Sequence, residues 1–504
     1  MPVTVLAPPA VVRRELAGVA RGGLVNLIGA AVAGLAGFGV TWLVARTLGP
    51  DQAGGFFTAT AAFVLVGTVA KLGTPTGLVY FIARLRAAHA CGSALRRCLW
   101  IALGPVTVAA LLAGSGLWFG APALAALTPG GAGPGYVTQI RVLAVFLPAA
   151  VLCDVLLAAS RGWQVMRPTV LLDRLLRPGT QLVSLGLLAA AAVATPATYA
   201  LAWVAPYLPT LLLAGYAVLR LLPKGDGSTT DLTASVFWRF TGPRAVASIA
   251  QLALQRFDVL LLAGLAGLRA AAIYAVAGRF VVLGQLANQA IALAVQPRLA
   301  ELLGAGRHAA AKELYQAATG WLVLVAWPLF LGTAVFSSVY LGLFGPGYRG
   351  ATAVVVVLAL AMLVATGCGM VDTVLAMAGR TSWNLANVAL ALGVNVAADL
   401  LLIPRLGALG AAIGLAAAIV TNNVVPLVQI ATVLRLHPFG RSTLTAAVLA
   451  TACFGVLPLT VGAVAGTRPA SAFGSAVLGA TGYLYALARL RRNLRLDASR
   501  ERNR

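Results

Sequence analysis

Residues 350–371 read GATAVVVVLALAMLVATGCGMV, a run of apolar and small side chains that contains no charge. A helix of about 20 apolar residues is long enough to cross the hydrocarbon core of a bilayer, which is about 30 Å thick. The same character extends over the 504-residue chain, which is 60% hydrophobic and 10% charged. Soluble proteins carry about 25% charged residues. The sequence therefore predicts an all-α polytopic membrane protein and excludes a soluble enzyme.

Stretches of this kind follow one another along the chain with short connections between them. They lie roughly at 22–45, 55–83, 98–119, 137–160, 170–194, 198–221, 237–263, 269–297, 317–343, 350–378, 382–403, 407–434, 442–463 and 471–490. Only the connection around 224–228 is strongly polar. We therefore expect about fourteen transmembrane helices and no soluble domain.

The basic residues indicate how the chain is oriented. With the N-terminus in the cytoplasm, 28 of the 37 Lys and Arg residues fall in cytoplasmic segments, 5 on the opposite side and 4 inside spans. Cytoplasmic loops of membrane proteins carry such an excess of Lys and Arg. We therefore expect a multi-pass protein of the plasma membrane with both termini cytoplasmic. The net charge of +24 then reflects topology, and we expect no nucleic-acid partner.

An internal repeat indicates how the helices are grouped. The segment LVARTLGPDQAGGFFTA at 43–59 is similar to LLAGLAGLRAAAIYAVA at 261–277, with an offset of 218. An even number of predicted helices separates the copies, so the repeat is parallel and its axis runs along the membrane normal. We expect two pseudo-symmetric six-helix lobes and a C-terminal helix pair. The predicted units are an N-terminal segment (1–21), an N-lobe (22–222), a linker (223–236), a C-lobe (237–434), helices 13 and 14 (435–490) and a basic tail (491–504).

An ordered series of motifs resembles a known family. The motifs are ARTLGPDQAGGFF (45–57), KLGTPTGLVYFIAR (71–84), GLRAAAIYAVAGRF (267–280), QPRLAELLGAGR (296–307), LFGPGYRGA (343–351), LAMAGRTSWNLANVALALGVN (375–395) and LLIPRLGALGAAIGLA (401–416). The chain resembles the bacterial polysaccharide (O-antigen, Wzx-type) flippases of the multidrug/oligosaccharidyl-lipid/polysaccharide exporter superfamily over about residues 18–490. The resemblance implies movement of polyprenyl-pyrophosphate-linked glycans across the plasma membrane. The partners that it implies are the lipid-linked glycan, the bilayer, and a polysaccharide polymerase or glycosyltransferases.

Four basic residues lie inside predicted spans, where a charge costs about 2.5–3.5 kcal/mol on insertion scales. They are Lys71, Arg141, Arg256 and Arg279. Arg binds phosphate oxygens bidentately, so these side chains are candidates for a pyrophosphate site in a central cleft. They also have structural roles open to them, by snorkelling or by pairing with an acid. Amides that share helix faces are candidates for sugar hydroxyls or for bonds between helices: Gln251, Gln255, Gln285 and Gln289.

Three acids inside predicted spans are candidates for ion coupling: Asp258, Asp154 and Asp372. The chain has no phosphate-binding loop, zinc motif or nucleophile elbow at a usable position, so we expect no cofactor, no metal and no catalytic residue. The energy for transport would then come from an ion gradient, the membrane potential or substrate flux.

Three other functions stay open at this point. A peptidoglycan lipid-precursor flippase would carry a similar anionic cargo. An ion-coupled drug antiporter of the same superfamily characteristically has an acid in its first helix, and residues 22–45 contain none. A membrane glycosyltransferase or polymerase would need a large outer loop, and the predicted outer loops are short.

Overall fold

The computed structural model describes residues 9–88, 90, 92–129, 134–223, 232–465 and 469–490. The predicted basic tail and most of the predicted linker, 224–231, lie outside the described residues. In the first half of the chain the helices are Pro9–Ala70, Thr74–Ala87, Gly92–Ala126, Pro134–Gly162, the π-helical Thr169–Leu176, Arg177–Ala190, Pro196–Val204 and Tyr207–Leu221.

The second half is also helical. Its helices are Ala234–Ala266, Leu268–Ala277, Arg279–Gly304, His308–Val335, Ser337–Phe344, the 3-10 helix Pro346–Ala351, Thr352–Gly367, Val371–Met377, Thr381–Leu406, Ala408–Gln429 and the π-helical Ile430–Leu434. The chain then continues through Arg441–Thr451, the π-helical Ala452–Val456, Leu457–Ala465 and Pro469–Arg489.

The helices confirm the all-α, polytopic class. Among the described residues, ten helices are long and apolar enough to cross a membrane, or eleven if the bent pair Ala234–Ala253 and Arg256–Ala266 forms one span. One of them, Ile28–Ala70, has 43 residues and covers two predicted spans. The number fourteen and the division into two lobes stay predictions.

The two turns of the internal repeat have the same backbone geometry. Gly49 has φ 71° and ψ 173°, and Gly267 has φ 90° and ψ 170°. Residues with a side chain rarely adopt this backbone conformation, so glycine is the residue that lets the helix break there. The alanines four residues further on, Ala53 and Ala271, are both fully buried. The repeat seen in the sequence is therefore a repeat of structure at this turn.

The two halves touch at both ends of the described helices. At the turns, a side chain on Gly54 would collide with the Leu268 carbonyl oxygen. At the other end, Gly73 has φ 71°, and a Cβ there would lie 2.8 Å from the Ala245 nitrogen. Tyr80 stacks on Phe240 close by, with ring centroids 4.2 Å apart. Small residues thus let the helices of the two halves approach closely, as is typical inside membranes.

Candidate functional site

A cavity of about 430 Å³ lies in the second half of the chain. Helices Ala234–Ala266, Arg279–Gly304, Thr352–Gly367 and Ala408–Gln429 supply most of its wall. Its polar lining consists of Gln251, Arg256, Tyr274, Arg279, Gln285, Asn288, Thr366, Asp372, Asn422 and Asn423. The cavity therefore combines guanidinium groups, amides and one carboxyl group on an otherwise apolar wall.

Arg256 and Arg279 enter this cavity from two different helices. Helix Ala234–Ala266 is bent by 55° where its second segment begins at Arg256, and Arg279 is the first residue of its helix. The two guanidinium groups lie close enough for their charges to repel each other. Within the described part of the chain neither forms an ion pair, and the buried Arg279 Nε has no hydrogen-bond acceptor. Two cations held together in this way favour binding of an anion.

The amide candidates divide into three groups. Gln251 and Gln285 line the cavity together with Asn288, which the sequence did not single out as a site residue. Gln289 is exposed and is not part of the lining. The side chain of Gln255 lies outside what the structure describes. The amides that line the cavity can both donate and accept hydrogen bonds, as sugar hydroxyls require.

A cluster of buried oxygens lies beside the cavity. Asp258 is 3% exposed and accepts a 2.6 Å hydrogen bond from the hydroxyl of Tyr274, which itself lines the cavity. Asp399 is fully buried within electrostatic range of Asp258, and Asn395 donates to it at 3.4 Å. Among the described residues, Oδ1 of Asp258, Asn395 and Asp399 has no hydrogen-bond partner.

Glycine makes room for this cluster. A side chain at Gly414 would collide with the Asp399 carboxylate. Asp399 was not among the coupling candidates named from the sequence. The four-residue spacing of Asn395 and Asp399, which puts both on one helix face, was the available signal. Buried carboxyl oxygens without a donor can be stabilised by a cation or a proton.

The sequence comparisons agree with this architecture. Residues 19–303 match the family described as polysaccharide biosynthesis protein. The chain belongs to this family. Residues 243–401, which include most of the cavity, also match the MatE family. No curated protein matches the chain significantly in sequence.

Solved structures show where else this fold occurs. The chain is similar to "Lipid II flippase MurJ, inward closed conformation", with a TM-score of 0.72, 11% identity and coverage of 93% of this chain and 98% of that one. It is also similar to an inward-facing multidrug resistance MATE family transporter of the MOP superfamily, with a TM-score of 0.63, 16% identity and coverage of 82% and 98%. A third neighbour is a MOP superfamily transporter from Pyrococcus furiosus, with a TM-score of 0.53, 16% identity and coverage of 86% and 95%. The chain shares its fold with these three proteins.

Lys71 lies in the first half of this family member and pairs with one of the candidate acids. Its Nζ is 2.9 Å from Oδ2 of Asp154. Arg177 extends the pair into a network, because its guanidinium lies 3.8 Å from Asp154 and 2.6 Å from Asp173. Neither Lys71 nor Asp154 lines the cavity of Arg256 and Arg279. Both residues were candidates from the sequence, but their ion pair was not predicted.

Arg141 and Asp372 complete the candidates. Arg141 lies 5.5 Å from the ring centroid of Trp118 and away from the cavity, and its buried Nε has no partner among the described residues. Asp372 lines the cavity, and Asn384 donates a 2.9 Å hydrogen bond to its backbone oxygen. Five of the predicted residues therefore share one cavity: Gln251, Arg256, Arg279, Gln285 and Asp372.

Proposed function

We propose that this protein is a flippase that moves polyprenyl-pyrophosphate-linked glycans across the plasma membrane for surface polysaccharide biosynthesis. The observation that carries the proposal is the pair of guanidinium groups of Arg256 and Arg279, which share one cavity and pair with no carboxylate among the described residues. An unpaired cation inside a membrane-spanning segment is costly, and an anionic ligand bound to both guanidinium groups would offset that cost. The family membership of residues 19–303 supports the same substrate class.

The chemistry of the cavity fits the two parts of such a substrate. A planar guanidinium can hold two phosphate oxygens at once, so two of them suit a pyrophosphate. Gln251, Gln285 and Asn288 offer donors and acceptors to the hydroxyls of the first sugars. In this proposal the two lobes rock against each other and expose the cavity, which lies in the second half of the chain, to each side of the membrane in turn.

The proposal includes an orientation and partners. Both termini lie in the cytoplasm, because that arrangement puts most Lys and Arg residues on the cytoplasmic side. The glycan is then taken from glycosyltransferases that act at the inner face of the bilayer. It is released to a polysaccharide polymerase at the outer face.

Asp258 and Asp399 are our candidates for ion coupling. Both are buried, they lie within electrostatic range of each other, and Tyr274 connects Asp258 to the cavity wall. A cation or proton bound between them would change the charge between the helix that carries Arg256 and the helix that carries Asn395. Asp154 has Lys71 as a counter-ion, and Asp372 lies in the cavity itself, so we rank both lower for this role.

A peptidoglycan lipid-precursor flippase is the second candidate. The structural similarity to the lipid II flippase favours it, and such a precursor also carries a pyrophosphate. A cationic drug fits less well, because it would be repelled by two unpaired guanidinium groups. The family neighbours are transporters, and we propose no enzymatic reaction.

A reconstituted assay separates these functions. Purified protein in vesicles is given fluorescent polyprenyl-pyrophosphate lipids that carry either an oligosaccharide or the peptidoglycan precursor, and quenching from outside reports flipping. We expect oligosaccharide lipid to be flipped and the rate to fall in Arg256→Gln. Flipping of the peptidoglycan lipid alone would replace the first proposal with the second. Both proposals would be refuted by a folded protein that transports a cationic drug and flips neither lipid.

A further inference from the structure

A second cavity, of about 290 Å³, lies apart from the one lined by Arg256 and Arg279. It forms where helix His308–Val335 begins and the π-helical turn Ile430–Leu434 ends. Its lining consists of His308, Ala309, Lys312, Val433, Leu434 and Arg435. Two segments that are distant in the sequence therefore bring three basic side chains to one pocket. We refer to this site as the basic pocket.

The basic pocket lacks a counter-ion in the described structure. No carboxylate belongs to its lining. Within the described part of the chain, the side chains of His308, Lys312 and Arg435 form no hydrogen bond or ion pair. The N-terminus of helix His308–Val335 adds the positive end of a helix dipole to the same place. The charges of Lys312 and Arg435 and the helix dipole favour an anion.

The backbone at Arg435 is in a conformation that side chains other than glycine avoid. Its φ and ψ are 54° and 33°. Such residues persist where the surroundings fix them, and they occur often at binding sites. Here Leu436, which is 1% exposed, anchors the chain just beyond the turn. The next residue, His437, lies with Nδ1 3.4 Å from Nε2 of Gln316 on helix His308–Val335. The strained turn holds Arg435 at the pocket opposite Lys312.

We propose that the basic pocket binds the phosphate of an anionic phospholipid headgroup in the cytoplasmic leaflet. Guanidinium and ammonium groups are the usual protein partners of phosphate. The exposed Val433, at the end of a membrane-spanning helix, gives acyl chains an apolar surface beside the charges. In the proposed orientation both segments lie on the cytoplasmic side, where basic pockets between helices bind anionic lipids. This site does not depend on which glycan the protein transports.

Native mass spectrometry of the full-length protein in neutral detergent tests the proposal. The protein is titrated with phosphatidylglycerol, with phosphatidylcholine and with inorganic phosphate. We expect tight retention of phosphatidylglycerol, and an affinity at least about tenfold lower in Lys312→Gln/Arg435→Gly, because charge-assisted hydrogen bonds are lost. The matched control is Arg84→Gln/Arg441→Gln. It removes two exposed basic side chains on the same proposed side but outside the pocket, and it should bind like the parent.

Glycine is chosen at position 435 so that the variant is expected to fold. Glycine adopts φ of 54° without strain, so the thermal unfolding temperature should stay the same or rise. Equal phosphatidylglycerol binding by the pocket variant and its control would overturn the proposal. Displacement of the lipid by an equal concentration of inorganic phosphate would also overturn it, because the pocket would then be a site for soluble phosphate.

Discussion

Asp51 and Arg269 form an ion pair between residues that occupy the same position in the two copies of the internal repeat. They are 218 positions apart, which is the repeat offset, and Nη1 of Arg269 lies 3.3 Å from Oδ2 of Asp51. Two residues related by a twofold axis can touch only close to that axis. In the proposed two-lobed arrangement, the pair places the pseudo-twofold axis between Gly49 and Gly267.

This relationship leads to a cross-linking prediction. The side chains of Asp51 and Arg269 are 72% and 58% exposed, so the pair itself adds little stability, about 0–1 kcal/mol for exposed pairs in general. Its position is more informative than its energy. In Asp51→Cys/Arg269→Cys, a flexible bis-maleimide should join the two turns and stop flipping, because in the proposed rocking motion these turns separate to release the glycan.

The control for this experiment is the parent protein treated with the same reagent, since three of its cysteines are buried. When less cross-linker is used and fewer molecules are joined, flipping should recover in proportion. Complete cross-linking with an unchanged flipping rate would show that these turns stay together throughout transport.

The close contact of the two turns also predicts a stability difference between two glycines of one helix. A side chain at Gly54 would collide with the Leu268 carbonyl oxygen, whereas nothing lies within 4 Å of a Cβ at Gly37. We expect Gly54→Ala to lower the free energy of unfolding by about 1–3 kcal/mol or more. Gly37→Ala should leave it unchanged or raise it by about 0.5–1 kcal/mol. Thermal unfolding in detergent measures both, and equal values would contradict the packing at Gly54.

Much of the fold was predictable because it depends on local sequence. Apolar runs of about 20 residues gave the membrane helices, and the similar segments around Gly49 and Gly267 gave turns of the same geometry. Arg256 and Arg279 were recognisable as charges in apolar segments. These features need no knowledge of how helices pack against each other.

The partners of the charged residues could not be predicted in the same way. Lys71 and Asp154 are 83 positions apart, and only the packing of their helices brings them to 2.9 Å. The sequence likewise left pairing with an acid open for Arg256, but the nearby Asp258 accepts a hydrogen bond from Tyr274. Helix rotation and the neighbouring helix decide such pairs, and both are set by tertiary contacts.

The Lys71–Asp154 pair predicts coupled effects on stability. Lys71→Met removes a counter-ion from a partly buried carboxylate, and Arg177 remains 3.8 Å from it. We expect a loss of about 1–3 kcal/mol in the free energy of unfolding. Adding Asp154→Asn should recover a large part of this loss, because no unpaired acid is left. A double variant as unstable as the sum of the two single variants would show that the residues act independently.

Asp258 and Asp399 give a prediction about the driving force. Asp258→Asn and Asp399→Asn each remove one charge from the buried cluster while keeping its shape. We expect either variant to flip substrate at a rate that no longer responds to an imposed sodium or proton gradient. The matched control is Asp51→Asn, an exposed acid outside the cluster. Full gradient dependence in both cluster variants would exclude this cluster from coupling.

Arg256 and Arg279 give the prediction on which the proposed function depends. Neither guanidinium has a carboxylate partner in the described structure, so Arg256→Ala and Arg279→Ala strand no buried acid, and the protein level in the membrane should be unchanged. Loss of one charge-assisted hydrogen bond, typically about 1.5–3 kcal/mol, should lower substrate affinity roughly ten- to a hundredfold. Lysine at either position should restore part of the affinity, because it supplies the charge without the planar fork.

Arg405→Ala, which changes an exposed arginine away from the cavity, is the control and should bind substrate normally. Flipping assays run beside thermal unfolding separate the two roles: a folded double variant with normal flipping would refute the cationic cavity, whereas an unstable Arg256→Ala that Asp258→Asn rescues would make Arg256 a structural partner of that acid.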